Sequence, residues 1–242
     1  IQRIQPTAVE KLLDSAGQLC AVLLLSDKTG LALDAEAADQ LYPPIADFSP
    51  PDLVAARLAA GRKLFRPSSE GEERVLPGHR SIAEYLAAKW LAQQIDHRGL
   101  PLLRILNLLQ GQDDRTVAGL RGLYGWLALH CQAARRRLIE ADPLTVIVYG
   151  DVKPMSHVDK RHLLAGLRRE AEHHIAFRWE LRSAAPFGAL ADRQLAEDFT
   201  AALKSPERDE ASQSFAGCVL DILLEGDAIP ELAETIKAVI LD

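Results

Sequence analysis

The sequence is poor in the residues that mark disulfide-linked, metal-binding and membrane-spanning proteins. Its three cysteines, Cys20, Cys131 and Cys218, lie far apart in apolar stretches and form no Cys-x-x-Cys pair. This spacing argues against a disulfide framework or a zinc site and favours a reducing compartment. No apolar run approaches the roughly 18 residues that a transmembrane helix needs, and no signal peptide is recognisable. We therefore expect a cytoplasmic protein without a membrane partner.

Aromatic residues are also scarce, at 5% of the 242 residues, whereas hydrophobic residues make up 48% and charged residues 26%. The hydrophobic share is ordinary for a globular protein and argues against extensive disorder. Alanine and leucine supply much of it, and both lose little side-chain entropy in a helix. The composition thus predicts a folded, mainly α-helical chain, long enough for one large or two small domains.

Familiar catalytic signatures are missing as well. The sequence contains no Gly-x-x-x-x-Gly-Lys-Ser/Thr loop, no Gly-x-Ser-x-Gly elbow and no His-Glu-x-x-His pair. Among the seven histidines, His173 and His174 are adjacent and would point about 100° apart on a helix. His157 and His162 are five residues apart, which is a poor chelating spacing. We therefore predict no catalytic residue, no metal site and no cofactor in this chain.

The formal net charge of −6 and the pI of about 5.7 argue against non-specific binding of nucleic acid. Two basic segments stand out against this background. The pattern of residues 158–174 predicts an amphipathic helix with a basic side, and residues 135–137 are three consecutive arginines. The resulting candidates for contact with phosphates or an acidic partner are Arg161, Arg168, Arg169, Arg135, Arg136 and Arg137. The alternative, which the charge pattern favours, is a solvated outer helix face.

The first 80 residues predict a winged-helix-like domain. Apolar spacing predicts a helix over 7–25, opened by the capping box Thr7-Ala-Val-Glu10, although Cys20–Leu25 alone also fits a strand. Short helices are expected at 35–41 and at 53–60, the second ended by Gly61. Lys63–Arg66 and Arg74–Leu76 flank turn-forming residues and predict a small β-hairpin, the wing.

Residues 81–242 predict a helical repeat-like domain. The capping box Ser81-Ile-Ala-Glu84 opens a helix with strong apolar periodicity. Breakers such as Gly111, Asp142-Pro143 and Pro206 then separate further candidate helices, at 101–109, 117–129, 133–140, 158–174, 190–203, 214–224 and 230–241. Helices of similar length with short links are typical of an α-solenoid-like array of antiparallel helix pairs, although no fixed period is visible.

The segment Asp27-Lys28-Thr29-Gly30 resembles the phosphorylation signature of P-type ATPases, in which an aspartate nucleophile follows a strand. Where that pattern continues with threonines, this chain has Leu31, Ala32 and Leu33, and no magnesium-binding partner motif follows. The resemblance implies a phosphotransfer enzyme of the HAD type only if Cys20–Leu25 is a strand in a parallel sheet. A helix there would oppose it, and a polar turn is the simpler interpretation.

The segment His79–Leu91, with the sequence HRSIAEYLAAKWL, resembles the region that follows the nucleotide-binding core of STAND NTPases of the NACHT type. In that family a wing strand leads into such a helix, and the predicted hairpin matches the wing. Leu123–Leu129, Asp142-Pro143 and Tyr149–Asp151 resemble, more weakly, the helical or HEAT-like region of some bacterial members. The resemblance implies a regulatory segment of an ATP-driven signalling switch in bacterial defence or regulation.

The resemblance also implies partners. Because the chain has no Walker motif, ATP would bind outside this segment, and the chain, which begins at Ile1, is expected to be a fragment of a longer protein. The nucleotide-binding domain of the same polypeptide, a further protein or self-assembly are the expected partners. His79 is the candidate nucleotide sensor, since a histidine of the winged-helix domain has this role in some members. The alternative is a nucleic-acid regulator that inserts the helix 53–60 into a major groove, although only Arg57, Arg62 and Lys63 support it.

Overall fold

The computed structural model describes residues 6–48, 52–111, 115–178, 185–205 and 209–241. In this part of the chain the helices are α1 (Pro6–Leu25), α2 (Leu53–Ala60), α3 (Arg80–Arg98), α4 (Leu102–Leu109), α5 (Arg121–His130), α6 (Arg135–Ala141), α7 (Pro143–Tyr149), α8 (His157–His173), α9 (Ala196–Leu203), α10 (Glu210–Glu225) and α11 (Ala233–Leu241). The strands are β1 (Leu31–Ala32), β2 (Phe65–Ser68) and β3 (Gly71–Pro77). The predicted fold class, mainly α with a small β-hairpin, is confirmed.

The chain forms two compact units, residues 1–135 and 136–242. The predicted domain boundary between residues 80 and 81 lies inside the first unit, because α3 packs along α1. Gly17 makes this packing close, since a Cβ atom there would lie 2.8 Å from both the Leu86 carbonyl oxygen and Trp90 Cβ. α1 also packs on α2, and α3 on α5. The core between these helices includes Leu19, Leu23, Leu91, Leu123, Tyr124 and Leu127.

The sheet of the first unit is antiparallel with the strand order β1-β3-β2. The β2–β3 hairpin is the predicted wing, whereas β1, which pairs Leu31 with Val75, was not predicted. The predicted helix at 35–41 is only a 3₁₀ turn, Ala35–Ala37. It stops because the Asp39 carboxylate accepts hydrogen bonds from the Leu41 and Tyr42 amides and turns the chain. The Arg74 guanidinium, 2.7 Å from Asp39, ties this turn to β3.

The structure identifies the N-cap residues of two predicted helices, α2 and α3. α2 begins and ends as predicted, and its N-cap is Asp52, whose carboxylate accepts from the Ala55 amide at 2.9 Å. The capping box at residues 81–84 is wrong. α3 begins at Arg80, so that His79 is the N-cap, and Glu84 accepts from Arg80 Nε at 2.8 Å instead of capping the helix. The Thr7 side chain and residues 49–51 lie outside the described part.

The end of α1 decides between helix and strand for Cys20–Leu25: this segment is helical. At the end of the helix the Lys28 amide donates a hydrogen bond to the Leu23 carbonyl at 3.0 Å. This is the 6→1 hydrogen bond of a Schellman-type helix end, which spans more residues than its 5→2 companion. Asp27 supplies the left-handed residue that such an end needs, with φ of 53°. An aspartate is therefore found where glycine is the usual residue.

Replacing Asp27 with glycine is expected to raise the free energy of unfolding by about 0.5–1 kcal/mol, because glycine adopts positive φ without the steric cost that a Cβ atom adds. Urea denaturation of the purified chain measures the change. Ser26→Gly is the control: Ser26 has no positive φ, and its hydroxyl donates to the Val22 carbonyl at 2.6 Å. That variant should lose stability. A loss in both variants would contradict the assignment of Asp27 as the helix-ending residue.

The second unit contains only helical elements among its described residues. α8 packs on α7 and α10, and α10 also packs on α9 and on the 3₁₀ segment Ala185–Leu190. Its core includes Leu163, Leu167, Phe187, Leu190, Phe199 and Val219. α7 was not predicted, because an Asp-Pro pair such as Asp142-Pro143 is typical of a helix break. Asp142 is instead the N-cap, accepting from the Thr145 amide at 3.0 Å, and Pro143 opens the helix.

Candidate functional site

The outward side of α2 is aliphatic. Its alanines, Ala55, Ala56, Ala59 and Ala60, are buried, and the helix packs on α1. The side chains left on the surface are Leu53, Val54 and Leu58, which are 38%, 70% and 51% exposed. Val54 and Leu58 are four residues apart, so they form one ridge on the helix surface. Such a ridge offers apolar contact and has no group for hydrogen bonding to base edges.

Three cations lie at the C-terminal end of this ridge, Arg57, Arg62 and Lys63. All three are exposed, and none of their side chains has an ion pair or hydrogen bond among the described residues. Arg57 also stands in the last turn of α2, where a positive charge is favoured by the helix dipole. The outer side of α2 is thus apolar with a basic end. The apolar ridge is exposed because the alanines form the opposite side of α2, which packs on α1.

The wing carries the opposite charge. Glu70, Glu72 and Glu73 are exposed on the β2–β3 hairpin, and within the described part of the chain only Glu70 has a close cationic partner, Arg74 at 3.1 Å. A negatively charged hairpin repels the phosphate backbone of nucleic acid. The exposed side of α2 is therefore apolar with a basic end, whereas the hairpin is acidic.

His79 lies between the wing and α3. As the N-cap residue of α3 it has an extended backbone, with φ of −138° and ψ of 130°, and its imidazole makes no capping hydrogen bond. The residue is exposed. The side chain is accordingly accessible to a ligand or a second domain, and its role in nucleotide sensing stays a prediction.

The DKTG segment follows a helix, so the strand that phosphotransfer at Asp27 requires is not formed. Asp27, Lys28 and Thr29 line a cavity of about 350 Å³ together with Arg80. Arg80 is already engaged, since it donates to Glu84 and to the Gly119 carbonyl. A Cβ atom at Gly30 would meet the Val75 carbonyl oxygen. Asp27 and Gly30 therefore have structural roles in a turn between α1 and β1.

Two of the six candidate arginines make structural contacts. Arg135 donates to the carbonyls of Ala128 at 2.9 Å and Leu129 at 2.6 Å, and so satisfies the free end of α5. Arg161 donates to Asp198 at 2.9 Å and to the Gln194 carbonyl at 3.2 Å, which links α8 to α9. Neither guanidinium is thus a free phosphate ligand.

The other four arginines are exposed. Arg136 bonds Glu140 at 2.8 Å, and this hydrogen bond lowers the pKa of the Glu140 carboxyl, helped by the charges of Arg136 and Arg169. Arg137 makes no ion pair among the described residues. Arg168 lines a groove with acidic neighbours. Carboxylates therefore lie close to the basic side predicted for residues 158–174, and the binding role of its arginines stays a prediction.

That groove lies between α8, α9 and α10 in the second unit and encloses about 510 Å³. Leu164 and Phe215 are the large apolar side chains of its lining. Its charged lining residues are Arg161, Arg168, Glu172, Asp198 and Asp209. Hydrogen bonding from the Ser212 amide lowers the pKa of the Asp209 carboxyl, which stays ionised. The groove is amphipathic, with two positive and three negative residues.

The described part of the chain has few groups suited to thiol or metal chemistry. Burial raises the pKa of all three thiols, Cys20, Cys131 and Cys218, to about 12, so each stays protonated at neutral pH. No three His, Cys, Asp or Glu side chains of these residues come together as a metal site. No helix among them is long and apolar enough to cross a membrane.

Comparison of the chain with family models, curated proteins and solved structures gives no match. The resemblance to STAND NTPases therefore depends on the motif at residues 79–91 and on the hairpin before it.

Proposed function

We propose that this chain is a non-catalytic regulatory and interaction segment of a larger ATP-dependent signalling protein of the STAND type. The aliphatic outer side of α2 carries the proposal. In a unit with winged-helix-like elements this helix would read DNA, yet it exposes Leu53, Val54 and Leu58. Exposed aliphatic side chains grouped on one ridge are typical of a surface that another protein covers. The acidic wing supports the same choice.

The partner proposed for this ridge is the nucleotide-binding domain of the same polypeptide. Three partly exposed aliphatic side chains offer far less than the roughly 800 Å² that each partner buries in a stable complex between free proteins. A covalent link raises the effective concentration to about the millimolar range, so that a small contact suffices. ATP would bind in that domain, outside this segment, with the exposed His79 as its sensing contact.

The first test is to read the open reading frame upstream of Ile1 from the source DNA. A Walker A loop and a Walker B strand within about one or two domain lengths are expected. The encoded domain, expressed separately, is then added up to millimolar concentration to the ¹⁵N-labelled chain, and the shifts of the α2 amide signals give the weak dissociation constant expected without the covalent link. The double variant Val54→Asp/Leu58→Gln should weaken binding at least tenfold, about 1.4 kcal/mol, with little effect on folding because both positions are on the surface.

The matched control is Leu103→Asp/Leu108→Gln on α4, where the two leucines are 54% and 49% exposed. It makes the same chemical change elsewhere in the unit and should leave binding unchanged. An upstream sequence without a nucleotide-binding motif, or equal binding by both double variants, would overturn the proposal.

The alternative, a nucleic-acid-binding regulator, is tested separately with a fluorescent random-sequence DNA duplex at low salt. If the proposal is right, the chain shows no salt-dependent binding to this DNA. Salt-dependent binding that disappears when Arg57, Arg62 and Lys63 are replaced by glutamine would establish the alternative instead, since phosphate contacts release counterions.

A further inference from the structure

A second recessed site lies between α1 and α3 of the first unit, away from the residues of the α2 ridge. It encloses about 240 Å³, and its lining includes Glu10, Leu13, Asp14, Tyr85, Leu86 and Trp90. Pockets for whole small molecules are usually larger, about 300–1,000 Å³. The volume is instead suited to one inserted side chain.

Contacts with two further rings hold the Tyr85 wall of this pocket in place. The Tyr85 ring meets Trp126 edge-on, with ring centres 5.2 Å apart and planes at 86°. It meets His130 in the same way at 4.9 Å and 79°. Trp126 and His130, one turn apart on α5, are stacked at 6.3 Å. Such edge-to-face contacts stabilise a fixed ring orientation, so the aromatic wall is formed before any ligand arrives.

The stem of Trp90 is held by the close crossing of the two helices. Trp90 stands on α3 opposite Gly17 of α1, where no Cβ atom would fit without moving the Trp90 stem. Two aromatic side chains thus line one small pocket. Aromatic faces attract cations through the ring quadrupole, most strongly for tryptophan.

The pocket is also negatively charged. Glu10 and Asp14 lie one turn apart on α1, so they project from the same side of the helix. Both line the pocket, and neither has an ion pair or hydrogen bond among the described residues. The remaining charged lining residue, Lys89, is exposed. Lys89 also lies near His130. Burial is the main cause that lowers the pKa of the His130 imidazole, and the positive charge of Lys89 lowers it further.

We propose that this pocket binds the guanidinium group of an arginine side chain from a protein segment. The planar guanidinium stacks on aromatic rings and pairs with carboxylates, whereas an ammonium does so less well. Leu13, which is 40% exposed, offers apolar contact for the methylene stem. The proposal uses residues of α1 and α3 only, so it stands or falls independently of docking at α2.

The test follows the indole N–H signal of Trp90 in the ¹⁵N-labelled chain, assigned with Trp90→Phe. Titration with N-acetyl-arginine amide should shift this signal saturably, with a dissociation constant on the order of millimolar for a single side chain. The citrulline analogue, which has nearly the same shape but no charge, should not shift it. Raising the salt concentration should weaken arginine binding.

The double variant Glu10→Gln/Asp14→Asn should weaken arginine binding at least fivefold, and Tyr85→Leu should weaken it as well. Glu36→Gln removes an exposed carboxylate elsewhere in the unit and is the control that should bind normally. Dispersed spectra confirm that each variant is folded. Equal shifts with arginine and citrulline, or unchanged arginine binding in the double variant, would overturn the proposal.

Discussion

Replacing Gly30 with alanine is expected to lower the free energy of unfolding of the first unit by about 3 kcal/mol or more. The new Cβ atom would meet the Val75 carbonyl oxygen and would lie 2.8 Å from a ring carbon of Tyr42. Neither neighbour can move freely. Val75 is paired with Leu31 in the sheet, and Tyr42 is buried, with its hydroxyl 3.0 Å from Ser68 Oγ. The backbone itself must therefore shift, which separates β1 from β3.

Urea denaturation followed by circular dichroism measures this loss, and Gly119→Ala is the matched control. A Cβ atom at Gly119 would have no atom within 4 Å, so the change there should stay within about 0.5 kcal/mol. Equal stability of the two variants would mean that the turn before β1 can open without cost. In that case the structural explanation of the DKTG segment would be wrong.

The close approach at Gly30 bears on function because it gives a structural reason for a segment, DKTG, that otherwise resembles a phosphorylation site. Asp27 ends α1 with a positive φ, and Gly30 lets β1 approach β3. Both residue types are thus explained by backbone geometry, and the preceding segment is helical. Among the described residues of the first unit, the candidates for function are surface features: the α2 ridge, the wing, His79 and the pocket between α1 and α3.

Local sequence signals predicted the elements that local interactions determine. The span of α2 was predicted correctly because Gly61 and the apolar spacing mark its limits, and the hairpin because turn-forming residues separate two short apolar segments. β1 was missed because two residues cannot show a period. Its pairing with β3 depends on a contact 44 positions away, between Leu31 and Val75. α7 was missed because Asp-Pro both ends and begins helices.

The sites were less predictable because they depend on which side of a helix is buried. The charge pattern found Arg135 and Arg161, but their partners, backbone carbonyls and Asp198, are defined only by the fold. The α2 ridge was visible as apolar residues and became a surface only once its alanines were packed on α1. For the pocket, residues near position 12 and near position 88 must meet, and nothing in either segment indicates the other.

Replacing Asp192 with alanine is expected to lower the free energy of unfolding of the second unit by about 3 kcal/mol. The Lys160 ammonium lies 3.3 Å from Asp192 Oδ2, and the Lys160 side chain is only 8% exposed. Without the carboxylate, a buried positive charge loses its partner. Asp192 also accepts from the Gln194 amide at 3.0 Å, so about 1 kcal/mol of the loss belongs to this cap. Adding Lys160→Met should restore most of the remainder, since methionine keeps the stem without the charge.

The pH dependence separates this pair from an ordinary surface contact. Hydrogen bonding from the Gln194 amide, and then from Lys160, lowers the pKa of the Asp192 carboxyl below its usual value. The stability that ionised Asp192 adds is therefore fully present above the pKa of an aspartate in the unfolded chain, about 3.9. It is lost as the pH falls toward the lower pKa of Asp192 in the folded chain. The loss in free energy of unfolding caused by Asp192→Ala should therefore become smaller in that acid range.

Asp227→Ala is the control for this prediction, because Asp227 and Lys153 are 3.9 Å apart and both largely exposed. Removing that carboxylate should change stability by less than about 1 kcal/mol at any pH. If Asp192→Ala were no more harmful than Asp227→Ala, the Lys160 ammonium would have to reach water in the folded chain. The Lys160–Asp192 pair would then add little to the contact between α8 and the Asp192 turn, and the double variant would gain nothing over the single one.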